Sequence, residues 1–372
     1  YFLKLALTFN IKKDSANELS AAALSDKSDE SFSPKRDFKK YLSENLIENY
    51  PERIDDTFAE WDSEETIEAV KSALEAGGHE VNLIECDKDA YDKLKTLNPE
   101  FVFNVAEGLS GSSRESQIPS MLEMLNIPYT GSDSITTGIC HDKSRCKEIL
   151  SYYKIPNSKF FITDAIHKTE KKILFPKFVK PLHEGSSKGI YNSSVVNNSS
   201  ELRNEILRIK ECYYQPSIVE DFLEGKEFTV AMLGNGDDVK VLPIVEINLD
   251  AVPEGFNKIY SYEVKWFFDT RENKLDIFKC PADIEPELYK QIEDVCKAAY
   301  QALRIRDWAR IDVRLDRNNI PNIVEINPLP GILPDPADNS CYPKAAREYG
   351  LDYNSMINTV LNCAVQRTLM QK

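Results

Sequence analysis

Two short segments near the carboxyl end constrain the fold of this chain most strongly. Residues 310–314 read RIDVR, residues 324–328 read VEINP, and a turn sequence, DRNN, lies between the two strands that contain them. Both segments place polar side chains inside an otherwise apolar β pattern, so they are predicted to be antiparallel neighbours. Because side chains alternate along a strand, Glu325 and Asn327 share one face, and Asp312 reaches it from the partner strand.

The residue types on this face favour a metal and a phosphate. Two carboxylates and an amide oxygen are hard ligands of the kind that Mg²⁺ prefers. Arg310 precedes them as a fixed positive charge that can offset a phosphate or an oxyanion. The alternative is an exposed hairpin with charged residues. A site is favoured because the polar positions interrupt apolar strands.

A second segment joins a strand to a loop rich in glycine and serine. Residues 178–189 read FVKPLHEGSSKG, with Lys180 at the end of the apolar stretch. Backbone N–H groups and hydroxyls of such a loop can cover phosphates, with the lysine as the counter-charge. The pattern is not a Walker A sequence, and an ordinary turn is the alternative.

A third segment places two apolar stretches around an acidic turn. Residues 218–230 read IVEDFLEGKEFTV, which predicts strand, tight turn and strand, with Glu220 and Glu227 near one pocket. Strand-edge backbone groups can bind an adenine, and a carboxylate can accept hydrogen bonds from ribose hydroxyls. The alternative is a solvated hairpin with acidic tips.

The rest of the pattern predicts an α/β (α+β) chain of three domains. Alternating strands and helices in residues 1–135 favour a parallel sheet, residues 136–215 a small central lobe, and residues 216–372 a larger mixed domain. Strands are predicted at 3–9, 81–84, 101–105, 176–180, 218–222, 228–233, 240–247, 311–315 and 323–326. Helices are predicted at 63–76, 117–125, 143–152, 200–210, 286–303 and 353–369. Residues 12–60 are polar and predict an irregular insertion with one short helix near 39–48.

Composition excludes several classes of protein. The chain has 372 residues and a net charge of −15, which disfavours binding to a nucleic-acid backbone. It contains no apolar run long enough to span a membrane. Eight scattered cysteines without a Cys-x-x-Cys pair are typical of idle thiols in a reducing cytoplasm. With four histidines and no Ser-His-Asp spacing, nucleophilic hydrolysis has little support.

In this order, the three segments resemble the ATP-grasp fold, and within it the D-alanine–D-alanine ligase family. Residues 121–132, MLEMLNIPYTGS, and the pair Asp142-Lys143 add to the likeness, which runs from about residue 101 to the carboxyl end. The resemblance implies an ATP-dependent carboxylate–amine ligase that forms a dipeptide, ADP and phosphate through an acyl-phosphate. It also implies ATP and two Mg²⁺ ions (or Mn²⁺), amino-acid substrates, a cytoplasmic homodimer and a place in peptidoglycan biosynthesis.

The same resemblance implies roles for individual residues. Nucleotide-binding roles fall on Lys143, Lys180, Glu184, Ser186, Ser187, Glu220, Phe222, Leu223, Glu227 and Lys265. Magnesium would be held by Asp312, Glu325 and Asn327, and catalytic roles fall on Arg310, Ser186 and Lys265. Substrate contacts fall on Glu107, Tyr262, Gly331 and Ser340.

The departures from the family pattern lie on the amino-acid side of the site. The first strand lacks the usual Gly-Gly turn and its following glutamate, for which Glu18 is a candidate replacement. The family's His-Gly is Glu107-Gly108 here, the closing loop carries Trp266, and residues 333–338 are an insertion. Glu107 either binds an ammonium group or only caps the turn before Arg114.

These departures leave two alternatives open besides the dipeptide ligase. One is a ligase that joins a different amino acid, peptide or hydroxy acid. The other is an ATP-binding protein without ligase activity.

Overall fold

A computed structural model describes residues 2–12, 60–108, 110–165, 173–269 and 275–370. The predicted insertion with its short helix near 39–48, and the candidate Glu18, lie outside the described residues. Within the described ranges the strands form three sheets, one parallel and two antiparallel.

The amino-terminal sheet is parallel, as its alternating pattern predicted. Its strand order is β2-β1-β3, with β1 at Lys4–Phe9, β2 at Glu80–Glu85 and β3 at Phe101–Asn104. Helix α1, Glu64–Ala76, connects β1 to β2 in sequence; its N-cap Ser63 accepts a hydrogen bond from the Thr66 backbone N–H. The apolar face of α1 is buried against the sheet, which holds the carboxyl ends of β1 and β3 beside each other.

Four further α-helices follow among the described residues of the first half of the chain. They are α2 at Ala90–Leu97, α3 at Gln117–Leu125, α4 at Ser134–His141 and α5 at Lys143–Tyr152. The sequence patterns predicted α3 and α5 but missed α2 and α4. Helix α2 buries only Ala90 and Leu94, too few apolar positions for a clear period, and α4 contains two threonines and a glycine, which are poor helix formers.

The central sheet is antiparallel with strand order β4-β7-β5-β6. Its strands are β4 at Phe160–Thr163, β5 at Lys177–Pro181, β6 at Val195–Val196 and β7 at Ser217–Asp221, and helix α6, Ser199–Tyr213, packs on it. Alternate residues of β5 and β7 face α6, so the opposite face is free to line a site.

The carboxyl-terminal sheet contains six strands within the described residues. They are β8 at Glu227–Leu233, β9 at Lys240–Val241, β10 at Val245–Ile247, β11 at Phe278–Lys279, β12 at Trp308–Leu315 and β13 at Pro321–Asn327. The prediction of one continuous strand at 240–247 was wrong. Pro243 lies in the gap between β9 and β10 and has no backbone N–H for a ladder.

Three carboxyl-terminal helices complete the described chain. They are α7 at Pro286–Ala302, α8 at Cys341–Glu348 and α9 at Tyr353–Met370. The fully buried Trp308 on β12 contacts Phe103 on β3 and Tyr342 on α8 edge to face, so one apolar core joins the parallel sheet to the large antiparallel sheet. The domain boundaries after residues 135 and 215 remain a prediction.

Candidate functional site

A cavity of about 450 Å³ lies where the three sheets meet. The predicted site residues that line it are Glu107, Lys180, Ser186, Ser187, Glu220, Phe222, Leu223, Glu227, Lys265, Arg310, Asp312, Glu325, Asn327, Gly331 and Ser340. Lys143, Glu184 and Tyr262 lie outside this lining. Residues from three segments far apart in sequence therefore share one cavity.

Strands β12 and β13 are antiparallel neighbours, as predicted, and Asp312 lies on the strand beside Glu325 and Asn327. Asp312 pairs with Glu325 and Arg310 with Asn327, and a bulge follows Asp312. Asp312 accepts hydrogen bonds from Arg310 (3.0 Å to each oxygen), from Thr229 Oγ1 (2.7 Å) and from Asn327 Nδ2 (3.3 Å). The two carboxylates and one amide lie on adjacent strands, a donor set that suits Mg²⁺. Among the described residues no cluster of three or more His, Cys, Asp or Glu side chains could hold a metal.

Glu325 is the carboxylate of this set with the strongest stabilising surroundings. Its Oε1 lies 2.8 Å from Lys143 Nζ. Burial by itself raises its pKa, but the attraction of Lys143 and Lys180 lowers the pKa to about 2. The Glu325 carboxylate is therefore ionised across the physiological range.

The Gly/Ser-rich loop after β5 is held by two side chains from outside the loop. Lys143 Nζ donates to the Glu184 carbonyl at 2.5 Å, and Arg114 Nη1 donates to the His183 carbonyl at 2.7 Å. Ser186 and Ser187 both have left-handed backbone, with φ of 50° and 60°. Such conformations cost energy for non-glycine residues and persist only where neighbours hold them. The loop is thus pre-shaped, with both serines on the cavity wall.

A buried ionic network lies under the nucleotide end of the cavity. Glu220 Oε1 lies 3.3 Å from Lys180 Nζ and 3.5 Å from Lys147 Nζ, and Ser158 Oγ donates to Glu220 Oε2 at 3.0 Å. Burial raises the Glu220 pKa, but the two lysines outweigh it and the net shift is downward. The sequence patterns did not single out Lys147. A lysine on the buried face of α5 was its only signal.

The end of the cavity formed by Phe178, Phe222 and Arg314 is aromatic and cationic. The Phe178 and Phe222 rings lie 6.3 Å apart, and the Arg314 guanidinium lies 5.0 Å from the centre of the Phe222 ring. Arg314 Nη1 also donates to Glu227 Oε2 at 2.9 Å. These apolar faces with a few polar groups at their edge form a slot of the type that binds a flat heterocycle.

The predicted closing loop, around residues 262–266, contributes part of the cavity wall. Its residues 264–268 form a single π-helical turn, Val264–Phe268. Tyr262 is buried against Tyr191, while Lys265 and Trp266 line the cavity. Burial, and then repulsion by Arg310, lowers the Lys265 pKa to about 8. Lys265 is therefore a cation that loses its charge in mildly alkaline solution.

The amino-acid end contains residues that the sequence patterns missed. Glu60 lines the cavity, where it accepts two hydrogen bonds from Arg114 Nη2 and one from the Gly185 N–H, all at 2.6 Å. Glu60 is the last residue of the predicted polar insertion, 12–60, whose sequence has no clear hydrophobic period. Only tertiary contacts therefore identify Glu60 as a site residue. Ser340, the N-cap of α8, donates to the Gly331 carbonyl at 3.2 Å, which ties two predicted substrate residues together.

Comparisons with known proteins find similarity to D-alanine–D-alanine ligases. Residues 149–362 match the family model described as the D-ala D-ala ligase C-terminus. The uncharacterized protein y4sG of Sinorhizobium fredii is 34% identical over 315 residues, covering 82% of this chain and 89% of that protein. The D-alanine–D-alanine ligase of Bordetella avium is 30% identical over 295 residues, which cover 78% of this chain and 86% of that protein. The D-alanine–D-alanine ligase of Aquifex aeolicus is 31% identical over 298 residues, which cover 80% of this chain and 93% of that protein.

A solved structure gives the same answer for the fold. The D-alanine–D-alanine ligase of Bacillus anthracis, complexed with ATP, aligns over 100% of both chains with a TM-score of 0.65 at 20% sequence identity. This likeness confirms the predicted α/β (α+β) ATP-grasp fold. No helix in the described part of the chain is long and apolar enough to cross a membrane.

Proposed function

This chain belongs to the D-alanine–D-alanine ligase family of ATP-dependent C–N ligases, and we propose that it joins two D-alanine molecules while ATP is converted to ADP and phosphate. One observation carries the proposal. The same cavity is lined by candidate amino-acid contacts and by four features suited to phosphate and metal. These are the Gly/Ser-rich loop after β5 (called the phosphate-type loop from here on), the cations Lys180, Lys265 and Arg310, the two carboxylates of the predicted metal set, and its amide.

The reaction proceeds in two steps. A carboxylate oxygen of the donor amino acid attacks the terminal phosphorus of ATP, and the bond to the bridging oxygen of ADP breaks. The acceptor's neutral amine then attacks the acyl carbon, phosphate leaves, and the amine loses a proton. Lys180 and Lys265 offset the phosphate charge in the first step, and Arg310 offsets the oxyanion that develops in the second.

Magnesium fits the donor set and belongs to the proposal. Asp312, Glu325 and Asn327 would hold it, since their oxygens lie on two adjacent strands and Glu325 is ionised at neutral pH. When bound, the ion neutralises phosphate charge. Arg310, which donates to both oxygens of Asp312, orients that carboxylate.

The closing loop has the contacts needed to exclude water. Its Tyr262 N–H donates to the Ile190 carbonyl at 2.8 Å, and Ser187 Oγ donates to the Tyr260 carbonyl at 3.0 Å. These bonds tie the closing loop to the phosphate-type loop over the cavity. Water that reached an acyl-phosphate would hydrolyse it, so closure protects the intermediate.

The test is phosphate release from Mg-ATP with D- and L-amino acids, alone and in pairs, with products identified by mass. We expect release that depends on D-alanine and a dipeptide product. Release only with another pair supports a ligase of different specificity, an alternative favoured by Glu107 and Trp266 at the amino-acid end. Nucleotide binding without release for any pair supports an ATP-binding protein and overturns the proposal.

The cellular setting is part of the same proposal. All eight cysteines are free thiols, as expected of a reducing cytoplasm. A D-alanyl-D-alanine product would enter peptidoglycan biosynthesis. The homodimer and the lack of nucleic-acid binding stay predictions.

A further inference from the structure

Nearly every carboxylate on the cavity wall already has a cationic or imidazole partner. The pairs are Glu60 with Arg114, Glu115 with His141, Glu220 with Lys180, Asp221 with Lys177, Glu227 with Arg314, Asp312 with Arg310, and Glu325 with Lys143. Asp62 and Glu107 are the exceptions. Within the described ranges their carboxyl groups line the cavity without a hydrogen bond or an ion pair.

One buried residue, Asn10, is hydrogen-bonded to Asp62 through its backbone and to Gly108, the neighbour of Glu107, through its side chain. The Asp62 N–H donates to the Asn10 carbonyl at 3.1 Å, and the Gly108 N–H donates to Asn10 Oδ1 at 2.8 Å. Asn10 follows β1 and is only 2% exposed, so both hydrogen bonds are made away from solvent. Asp62 and Glu107 therefore flank the carboxyl ends of β1 and β3, on the same side of the parallel sheet.

The wall beside them has an unused hydrogen-bond donor. The Lys12 N–H donates to the Asp62 carbonyl at 2.8 Å, and Lys12 Nζ lies 5.0 Å from the centre of the Trp266 ring. Trp266 Nε1 is buried and has no acceptor among the described residues. A buried donor without an acceptor is rare in folded proteins, which indicates a ligand at this wall. Lys12 and Lys265, whose Nζ atoms lie 5.0 and 5.2 Å from the centre of this indole ring, also lack a carboxylate partner in the described part.

The electrostatics of the pair agree with a cationic ligand. Burial raises the Asp62 pKa to about 7. Burial, and then repulsion by Glu115 and Glu60, raises the Glu107 pKa well above its ordinary value. Burial is the largest cause of both shifts, so a cationic ligand close to the two carboxyl groups would favour their ionised forms. Glu60 cannot supply the same recognition without losing bonds, since Arg114 and the Gly185 N–H already occupy its oxygens.

We propose that Asp62 and Glu107 together bind the ammonium group of the donor amino acid, and so select an α-amino acid over a simple carboxylate. This inference rests on the proposed function, because it names the recognition of one substrate of that reaction. It gives a binding role to Glu107, which replaces the family's histidine. It also adds Asp62, the residue before the N-cap of α1, to the predicted substrate contacts.

The experiment is an internal competition between two donors. D-alanine and propionate, which lacks the amine and can act only as donor, are supplied together with Mg-ATP, and alanyl-alanine and propionyl-alanine are quantified by mass. The ratio of the two products reports donor selection and is independent of how much active enzyme each preparation contains. We compare wild type with Asp62→Asn, Glu107→Gln and the double variant. Asp221→Asn is the matched control, a cavity-wall carboxyl on β7 that Lys177 already engages.

We expect the ratio of alanyl-alanine to propionyl-alanine to fall about tenfold or more in Asp62→Asn and Glu107→Gln, the scale of a lost charged hydrogen bond. The KM for ATP in Asp62→Asn and Glu107→Gln, and the product ratio in Asp221→Asn, should stay unchanged. An unchanged ratio in both single variants and in the double variant overturns the inference while the proposed function stands. A wild-type protein that makes no alanyl-alanine overturns the proposed function, and the inference with it.

Discussion

Lys143 Nζ and Glu325 Oε1 lie 2.8 Å apart, so a predicted phosphate ligand and a predicted metal ligand form one ion pair. Lys143 begins α5 and Glu325 lies on β13, and the same lysine also holds the Glu184 carbonyl of the phosphate-type loop. This contact joins the helix, the strand and the loop. A change at either partner should therefore affect both nucleotide and metal.

Loss of the Glu325 charge should abolish turnover. Glu325→Gln removes an ionised oxygen from the metal set and leaves Lys143, which is 5% exposed, without its counter-charge. We expect kcat to fall about 100-fold or more, with a higher Mg²⁺ requirement. Steady-state kinetics over a magnesium titration measures this, with the exposed Asp283→Asn as control. Normal kcat in Glu325→Gln would remove Glu325 from the metal site.

Lys180 should act mainly on nucleotide affinity. Lys180→Met deletes a buried cation that faces the cavity and leaves Glu220 with Lys147 alone. We expect the KM for ATP to rise about tenfold or more, the scale of a lost charged contact. The control is Lys177→Met, on the same strand but paired with Asp221. Equal KM values for Lys180→Met and wild type would contradict the phosphate role.

Lys265 should make the activity fall in alkaline solution, so that the pH profile of kcat/KM for ATP has a descending alkaline limb. With a pKa of about 8, its ammonium is charged below that pH and neutral above it. The kcat/KM for ATP, which reports groups of the free enzyme, should therefore fall as pH rises through about 8. Lys265→Arg keeps its charge and should flatten this limb even if its rate is lower. The same limb in the arginine variant would assign it to another group.

Asp62 should make stability depend on pH with an unusual sign. The folded state keeps a proton to about pH 7 that the unfolded chain loses near its ordinary value of 3.8. Stability should thus decrease as pH rises between these values, and the loss is complete above about pH 7. Asp62→Asn cannot ionise, so its melting temperature should exceed that of wild type near pH 8 and match it near pH 4.

Thermal melts across that range measure the effect, with Asp283→Asn as an exposed control. Parallel wild-type and Asp62→Asn profiles would show that the Asp62 carboxyl is ionised in the folded state at neutral pH.

Local patterns predicted much of the nucleotide side. The β12–β13 hairpin joins residues near in sequence, so strand alternation predicted that Asp312 reaches the face of Glu325 and Asn327 from the partner strand, and the structure pairs it with Glu325. The strand–turn–strand pattern of residues 218–230 likewise predicted that Glu220 and Glu227 lie near one pocket, and both line the cavity. Pattern failed where one residue interrupts it, as Pro243 does between β9 and β10.

The sequence by itself determined the family, the order of the ATP-binding segments and the alternation within each strand, because these depend on residue type and short-range periodicity. Only the tertiary structure decided the amino-acid end. There Arg114 meets Glu60 and Gly108 meets Asn10, across 54 and 98 positions of sequence. Such contacts have no local period. They arise when the ends of parallel strands and two loops pack together, and that packing leaves Asp62 and Glu107 on the cavity wall without a hydrogen bond or an ion pair to any residue that the structure describes.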